Sequence, residues 1–149
     1  MASLMLVVGF IGMIEAVTLS SKMMDAARRQ TLANQIINHE IEKLRLASWT
    51  TISGLPTTST AITIDSKFDQ ARAALGDNGT STSPVIFSLA RTLTSPDPVT
   101  NIREVNFTVT WVVKTSRRDG SNNPLSFTYT RSNSAWFGKY GLNLTYQRS

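Results

Sequence analysis

Apolar residues fill the first 19 positions of the chain almost without interruption, and an amphipathic helical pattern follows them to about Ser48. As a helix, the run from Ala2 to Leu19 would be about 27 Å long at roughly 1.5 Å per residue, close to the ~30 Å hydrocarbon core of a bilayer. A helix that is apolar on every side must be shielded from water. We therefore expect this half to be hidden in a membrane or in a bundle of identical helices.

The second half of the helix carries apolar residues at spacings of three and four, which draw one stripe along its surface. The stripe consists of Met23, Ala26, Ala27, Ala33, Ile37, Ile41 and Leu44. No Gly or Pro interrupts residues 13–48, so one long helix is predicted. Its weakest stretch is residues 16–21, where Ser and Thr side chains can compete for backbone hydrogen bonds.

Glu15 is the single charged residue inside the apolar run. Burial of a carboxylate in an apolar medium costs several kcal/mol unless the group is paired or protonated. The candidate partners are Lys22, two turns away, and a cation on a neighbouring chain such as its N-terminal amine; snorkelling, protonation and local solvent are the alternatives. Gly9 and Gly12 are small enough to let another helix approach closely.

The start of the chain differs from a cleavable signal peptide. No Lys or Arg precedes the apolar run, and Ser20-Ser21-Lys22 leads directly into more helix. We therefore expect the run to belong to the working molecule.

The remaining residues, about 100, are enough for one small core. A loop is predicted over 50–60, a strand over 61–64, a short helix over 68–75 and strands over 85–93 and 103–114. The alternation of Leu125, Phe127 and Tyr129 predicts a further strand, joined to the preceding one by a long hairpin loop, and residues 136–146 predict a last strand or an ordered tail.

Together these elements predict an α+β fold, in which a long N-terminal helix, apolar and then amphipathic, packs against a small antiparallel sheet of three or four strands. The division is an apolar membrane or filament-core half over 1–24, an amphipathic half over 25–49 and a globular β-rich head over 50–149.

The composition argues against catalysis. The chain has no Cys, a single His (His39) and no glycine-rich phosphate cradle. Asp65, Asp69 and Asp77 are spaced too loosely for a helix–loop–helix calcium site. We therefore expect no enzymatic activity, no cofactor, no metal and no small-molecule substrate, and we expect His39 to be a surface or interface residue.

The net charge of +5 arises in the C-terminal third of the chain. Lys114, Arg117 and Arg118 cluster near one hairpin end, and Trp111, Trp136 and Tyr140 lie nearby in the sequence. Basic residues with exposed aromatic rings can follow phosphates and stack on bases. Binding of nucleic acid is one interpretation; the others are a solvated loop with Trp111 in the core, and docking on acidic patches of adjacent subunits.

Three Asn-x-Ser/Thr triplets, at Asn78, Asn106 and Asn143, are possible N-glycosylation sites if the source glycosylates Asn. Such triplets also arise by chance in a Thr-rich chain.

The chain resembles a type IV pilin or a pilin-like pseudopilin. The matching segments are MASLMLVVGFIGMIEAVTL, followed by ARRQTLANQIINHEIEKLRLASW, and the closing WFGKYGLNLTY is similar to the aromatic, Gly-containing ends of some pilin-like proteins. The resemblance implies a methylated structural subunit that sits in the inner membrane and then polymerises with identical subunits into an extracellular helical filament on the cell surface. Alternatives are a minor priming pseudopilin of a secretion or DNA-uptake machine, and a monomeric membrane-anchored binding module.

One departure from the family concerns the fifth residue. Family members usually carry Glu there, paired with the N-terminal amine of a neighbour, whereas this chain has Met5. Either the protein is an atypical or minor pilin, or Glu15 supplies the charge further along; if Met1 is only an initiator, a plain anchor gains weight. The residues expected in assembly are Met1, Leu4, Met5, Val8, Gly9, Gly12, Glu15 and Lys22.

Overall fold

The computed structural model describes residues 2–94 and 101–140, with side chains described from Met13 onward. The helices are α1 (Ala2–Arg45), α2 (Trp49–Ser53) and α3 (Asp69–Ala74), and a 3-10 turn covers Ser66–Phe68. The strands are β1 (Thr60–Ile62), β2 (Val85–Thr94), β3 (Ile102–Arg118) and β4 (Pro124–Gly138). A long N-terminal helix with a small antiparallel sheet confirms the α+β class.

The helix α1 runs unbroken for 44 residues, including the stretch expected to be weakest. There the Thr18 hydroxyl donates to the carbonyl of Ile14 at 2.8 Å, the backbone competition that the sequence predicts, and the helix continues through it. The helix ends three residues before Ser48, earlier than predicted. Ser48 instead caps α2, its hydroxyl accepting from the backbone N–H of Thr51 at 3.3 Å. This short helix lies in a segment that the sequence assigned to a loop.

The four strands form an antiparallel meander in the order β1-β2-β3-β4. The β3–β4 hairpin is confirmed, and its turn is held by the Asp119 carboxylate, which accepts from the backbone N–H groups of Ser121 and Asn123. Asn122 adopts a φ of 66°, the left-handed conformation that Asn tolerates in turns.

The core lies between the second half of α1 and one face of the sheet. Its helix side is formed by Leu32, Ala33, Ile36, Ile37, Ile41 and Leu44, and its sheet side by Val85, Phe87, Leu89, Leu93, Val105, Phe107, Val109, Trp111 and Phe137. The alternation predicted in β3 is confirmed, because its apolar residues from Val105 to Trp111 are buried and Val113 is half-buried. The stripe predicted on α1 is confirmed only from Ala33 onward; Met23, Ala26 and Ala27 are exposed.

The prediction of two separate elements after the hairpin loop was wrong. One continuous strand, β4, joins residues 125–129 to Trp136, and it pairs with β3 from Lys114 to Ile102. The polar run Thr130–Ser134 hid this continuity, because edge strands carry polar side chains without losing their ladder. The rest of the predicted tail, from residue 141 on, lies outside the described residues.

Candidate assembly surface

The first part of α1 stands clear of the head. None of the residues from Met13 to Thr31 is buried, whereas the core side of the helix begins at Leu32. Six large apolar side chains on this projecting segment are between 54 and 71 % exposed: Met13, Ile14, Val17, Leu19, Met23 and Met24. We call residues 13–31 the rod. Exposed apolar surface of this extent marks an interaction site.

Asp25 and Arg28 on the rod form an ion pair at 3.9 Å, whereas two other charges of the rod have no such partner. Glu15 and Lys22 are both exposed, and neither forms an ion pair with another described residue. The expected pairing between them along the same helix is therefore not formed. A cation on a neighbouring chain stays one predicted partner for Glu15, alongside snorkelling, protonation and local solvent.

For six of the residues expected in assembly, the structure does not describe the surroundings. Met1 lies outside the described residues, and Leu4, Met5, Val8, Gly9 and Gly12 are described only as part of the backbone of α1. Within the described part of the chain, no helix combines the length and the apolar character needed to cross a membrane.

A groove lies at the base of the rod, between α1 and α3. Its volume is about 480 Å³. It is lined by Met24, Ala27, Arg28, Thr31, Leu32, Gln35, Ala71, Ala74 and Leu75. Mostly small or apolar side chains thus continue the exposed surface of the rod onto the head.

His39 ties α1 to the turn that precedes α3. Its Nε2 lies 3.2 Å from an Asp65 carboxylate oxygen, and the Lys67 ammonium lies 2.6 Å from its Nδ1. Since an ammonium can only donate, Nδ1 accepts and the neutral ring carries its proton on Nε2, donating to Asp65. Phe68 packs edge-on against the ring, 5.6 Å between centroids. His39 is thus a half-buried contact between two parts of the fold.

The hydrogen bonds to Asp65 favour its charged form. The backbone N–H of Lys67, at 3.0 Å, and then His39 lower the pKa of this carboxyl below its ordinary value of 3.8. A carboxyl with a lowered pKa stabilises the folded state above its ordinary pKa, and the contribution is lost as the pH falls through the lowered value.

Substitution Asp65→Asn is therefore expected to lower the melting temperature at neutral pH and to make less and less difference as the pH falls below 3.8. The amide oxygen keeps the acceptor for the backbone N–H of Lys67, while the charge and the second carboxylate oxygen, which faces His39, are lost. Thermal denaturation of both proteins followed by circular dichroism from pH 7 to acid would measure the difference. A gap that stays constant across this range would contradict the role given to the charge.

We call the contact of His39 with Asp65 the first clamp. A second clamp is formed by Asp77, which is fully buried in the loop that follows α3. Its carboxylate accepts from the Arg72 guanidinium at 2.8 and 2.9 Å and from the backbone N–H groups of Gly79 and Phe87, both at 2.9 Å. Helix α3, the loop and β2 are thereby joined at one point. Among the described residues, no group of three or more His, Cys, Asp or Glu could hold a metal.

The residues proposed for nucleic acid are not brought together. Trp111 is buried, stacked between Phe87 and Tyr129 at 6.0 and 5.6 Å between centroids. Trp136 pairs with Glu104, ten residues from Lys114 along β3, about 33 Å at roughly 3.3 Å per residue.

The basic cluster itself is partly engaged at the hairpin end. The Lys114 ammonium donates to the carbonyl of Ser81, and Arg118 donates to that of Asn122 at 2.7 Å. Arg117 is exposed. Neither Trp111 nor Trp136 is therefore placed beside the cluster where a base could stack on it, and these residues do not form the combined site that the sequence suggested.

The possible glycosylation sites differ in access. Asn78 is exposed in the loop after α3, whereas Asn106 is half-buried within the central strand β3, where Thr108 lies 3.4 Å from its amide oxygen. Asn143 lies outside the described residues. Asn78 is the more accessible of the two described sites.

Comparisons with protein families, with curated proteins and with solved structures gave no match to this chain.

Proposed function

We propose that this chain is the structural subunit of an extracellular helical filament of the type IV pilus kind. The observation that carries the proposal is the rod, a stretch of α1 with six large apolar side chains exposed and none buried. The same helix is well packed from Leu32 onward, so the head does not need the rod for its own core.

Polymerisation of identical subunits would bury the apolar side chains that the rod exposes. Full burial of a large apolar side chain contributes roughly 1.5–3 kcal/mol, so a bundle of such helices would be strongly favoured. The sheet domains would then form the outer wall of the fibre. Before assembly, the apolar end of α1 would sit in the inner membrane, as the resemblance to pilins implies.

No cofactor, metal or small-molecule substrate is part of the proposal, and the partners are further copies of the chain. Among the described residues, Glu15 has no ion-pair partner. In the filament its partner would be a cation of a neighbouring subunit, which replaces the pairing that Met5 cannot make.

Substitution Val17→Lys is expected to abolish polymerisation of the purified chain after removal of detergent, because it places an unpaired charge in the bundle. The folded head should be unaffected, since Val17 is 71 % exposed. Sedimentation and negative-stain microscopy would measure the loss of fibres.

The matched control is Leu46→Lys, because Leu46 is 90 % exposed but lies beyond the end of α1. This variant should polymerise like the natural chain. If Val17→Lys chains form fibres as readily as Leu46→Lys chains, the rod is not the polymerisation surface.

A further inference from the structure

The ring of His39 has a charged side chain at each of its two nitrogens. The Lys67 ammonium lies 2.6 Å from Nδ1, and a carboxylate oxygen of Asp65 lies 3.2 Å from Nε2. An arrangement of nucleophile, base and a third group that orients the base is the one that activates nucleophiles in proteins. Here the amine of Lys67 has the place of the nucleophile. We call Lys67, His39 and Asp65 the amine cluster.

The amine cluster combines an ordered base with an open nucleophile. Lys67 is exposed, whereas the side chains of His39 and Asp65 are 25 and 34 % exposed. Phe68 packs edge-on against the His39 ring at 5.6 Å between centroids, and the backbone N–H of Lys67 donates to Asp65 at 3.0 Å. The base and its orienting carboxylate are therefore held, while a reagent can reach the amine from solvent.

Lys67 differs in this respect from the other lysines of the chain. The sequence has a single His, and it contacts Lys67. Lys43 lies 3.7 Å from the carboxylate of Glu40, and the ammonium of Lys114 donates to a backbone carbonyl. An imidazole exchanges protons near neutral pH, which a backbone carbonyl cannot do and an ordinary carboxylate does only in acid. Lys67 is thus the lysine with a proton acceptor suited to neutral pH.

We propose that Lys67 is a site of covalent acylation, at which His39 acts as the general base and an acyl thioester is the donor. The amine cluster lies in the head, so its reactivity is separate from polymerisation. The modification would remove one positive charge from the head, because an amide carries none.

The step balances with the donor as the single co-reactant. The Lys67 ammonium passes one proton to Nδ1 of His39, and the electron pair left on Nζ attacks the carbonyl carbon of the thioester. The C–N bond forms and the C–S bond breaks. The leaving thiolate takes the second proton from the nitrogen and becomes a thiol, and His39 returns its proton to water.

The proton transfer moves the positive charge without changing the total charge of the amine cluster. Asp65 and the ring of Phe68, whose centroid is 5.1 Å from Nζ, both favour a cation at Lys67, so the resting lysine keeps its proton. After the transfer, the imidazolium is still hydrogen-bonded to the Asp65 carboxylate and the charge stays paired. His39 therefore acts on the reacting nitrogen, and Asp65 is a positioning residue.

Acetylation by acetyl-coenzyme A at neutral pH tests the proposal on the full-length chain in detergent. Mass spectrometry of its peptides gives the initial rate at each lysine in one sample. We expect Lys67 to be acetylated at least about tenfold faster than Lys43, since general-base catalysis contributes roughly 10²–10⁴-fold. Lys43 is the matched control, because its side chain is 61 % exposed and also lies beside a carboxylate but has no imidazole.

Substitution His39→Gln should lower the rate at Lys67 to that at Lys43, because an amide can accept a hydrogen bond from Nζ but cannot take up its proton. Asp65→Asn should lower it in part, since the imidazolium loses its counter-charge, and this variant decides the question if His39→Gln chains do not fold. Circular dichroism checks the fold of both. A natural chain in which Lys67 reacts no faster than Lys43, or an advantage of Lys67 that is undiminished in a folded variant, would overturn the inference. Absence of fibres would contradict the proposed function alone.

Discussion

A chain that lacks residues 2–19 is expected to stay a folded, soluble monomer under conditions in which the full-length chain polymerises. The deletion removes the apolar half of α1, whose large side chains would each contribute roughly 1.5–3 kcal/mol on burial in the fibre. It leaves the head core untouched, because Leu32 is the first buried residue among the described side chains of α1. Light scattering would report the loss of polymer, and circular dichroism would report the retained fold.

The full-length chain treated in parallel is the control for solution conditions. A shortened chain that is monomeric but unfolded would show that the rod is needed for the head, against the burial pattern of α1. Unaltered filaments after the deletion would contradict the proposed polymerisation surface itself.

The second large effect is expected at Asp77. Substitution Asp77→Ala should destabilise the head by about 3 kcal/mol or more, because it leaves a guanidinium that is largely buried without its partner and removes the acceptor for two backbone N–H groups. The Arg72 side chain is only 16 % exposed. Urea denaturation followed by tryptophan fluorescence would measure the change in the free energy of unfolding.

The matched control is Asp69→Ala, which removes the other carboxylate near Arg72, 3.2 Å away but 62 % exposed. An exposed ion pair contributes about 0–1 kcal/mol, so this variant should unfold almost like the natural chain. Equal losses from the two substitutions would show that burial of Asp77 does not determine its contribution.

The strands were predictable where burial on one face forced an alternation. In β3, polar residues separate Val105, Phe107, Val109 and Trp111, and this period-two pattern placed both the strand and its buried face. The middle of β4 could not be predicted, because Thr130–Ser134 has no apolar residue on either face. Its pairing depends on the neighbouring strand rather than on its own pattern.

The alternation of apolar and polar residues did not by itself predict which side chains are buried. The alternation in β3 is repeated by Leu125, Phe127 and Tyr129, yet these side chains are about half exposed. The packing of α1 on the sheet determines which part of a strand is covered, and the sequence of the strand alone does not show this. In Glu40 the opposite occurred: it is a charged residue on α1, yet it is only 3 % exposed. Its spacing of four from Ile36 and from Leu44 was the signal that it lies on the core face.

The clamps were only partly visible in the sequence. Gly76 and Gly79, on either side of Asp77 and Asn78, adopt the positive φ values of 93° and 73° that Gly readily takes in turns. Nothing local, however, relates Asp77 to the backbone of Phe87, or His39 to Asp65, because these contacts join parts of the chain that meet only in the folded structure.

Negative-stain microscopy of sheared cell-surface material, with mass analysis of its main protein, tests the proposed function most directly. We expect regular fibres built chiefly of this chain. If the sheared material holds no fibres that contain the chain, and the protein stays with the membranes, the filament account is wrong.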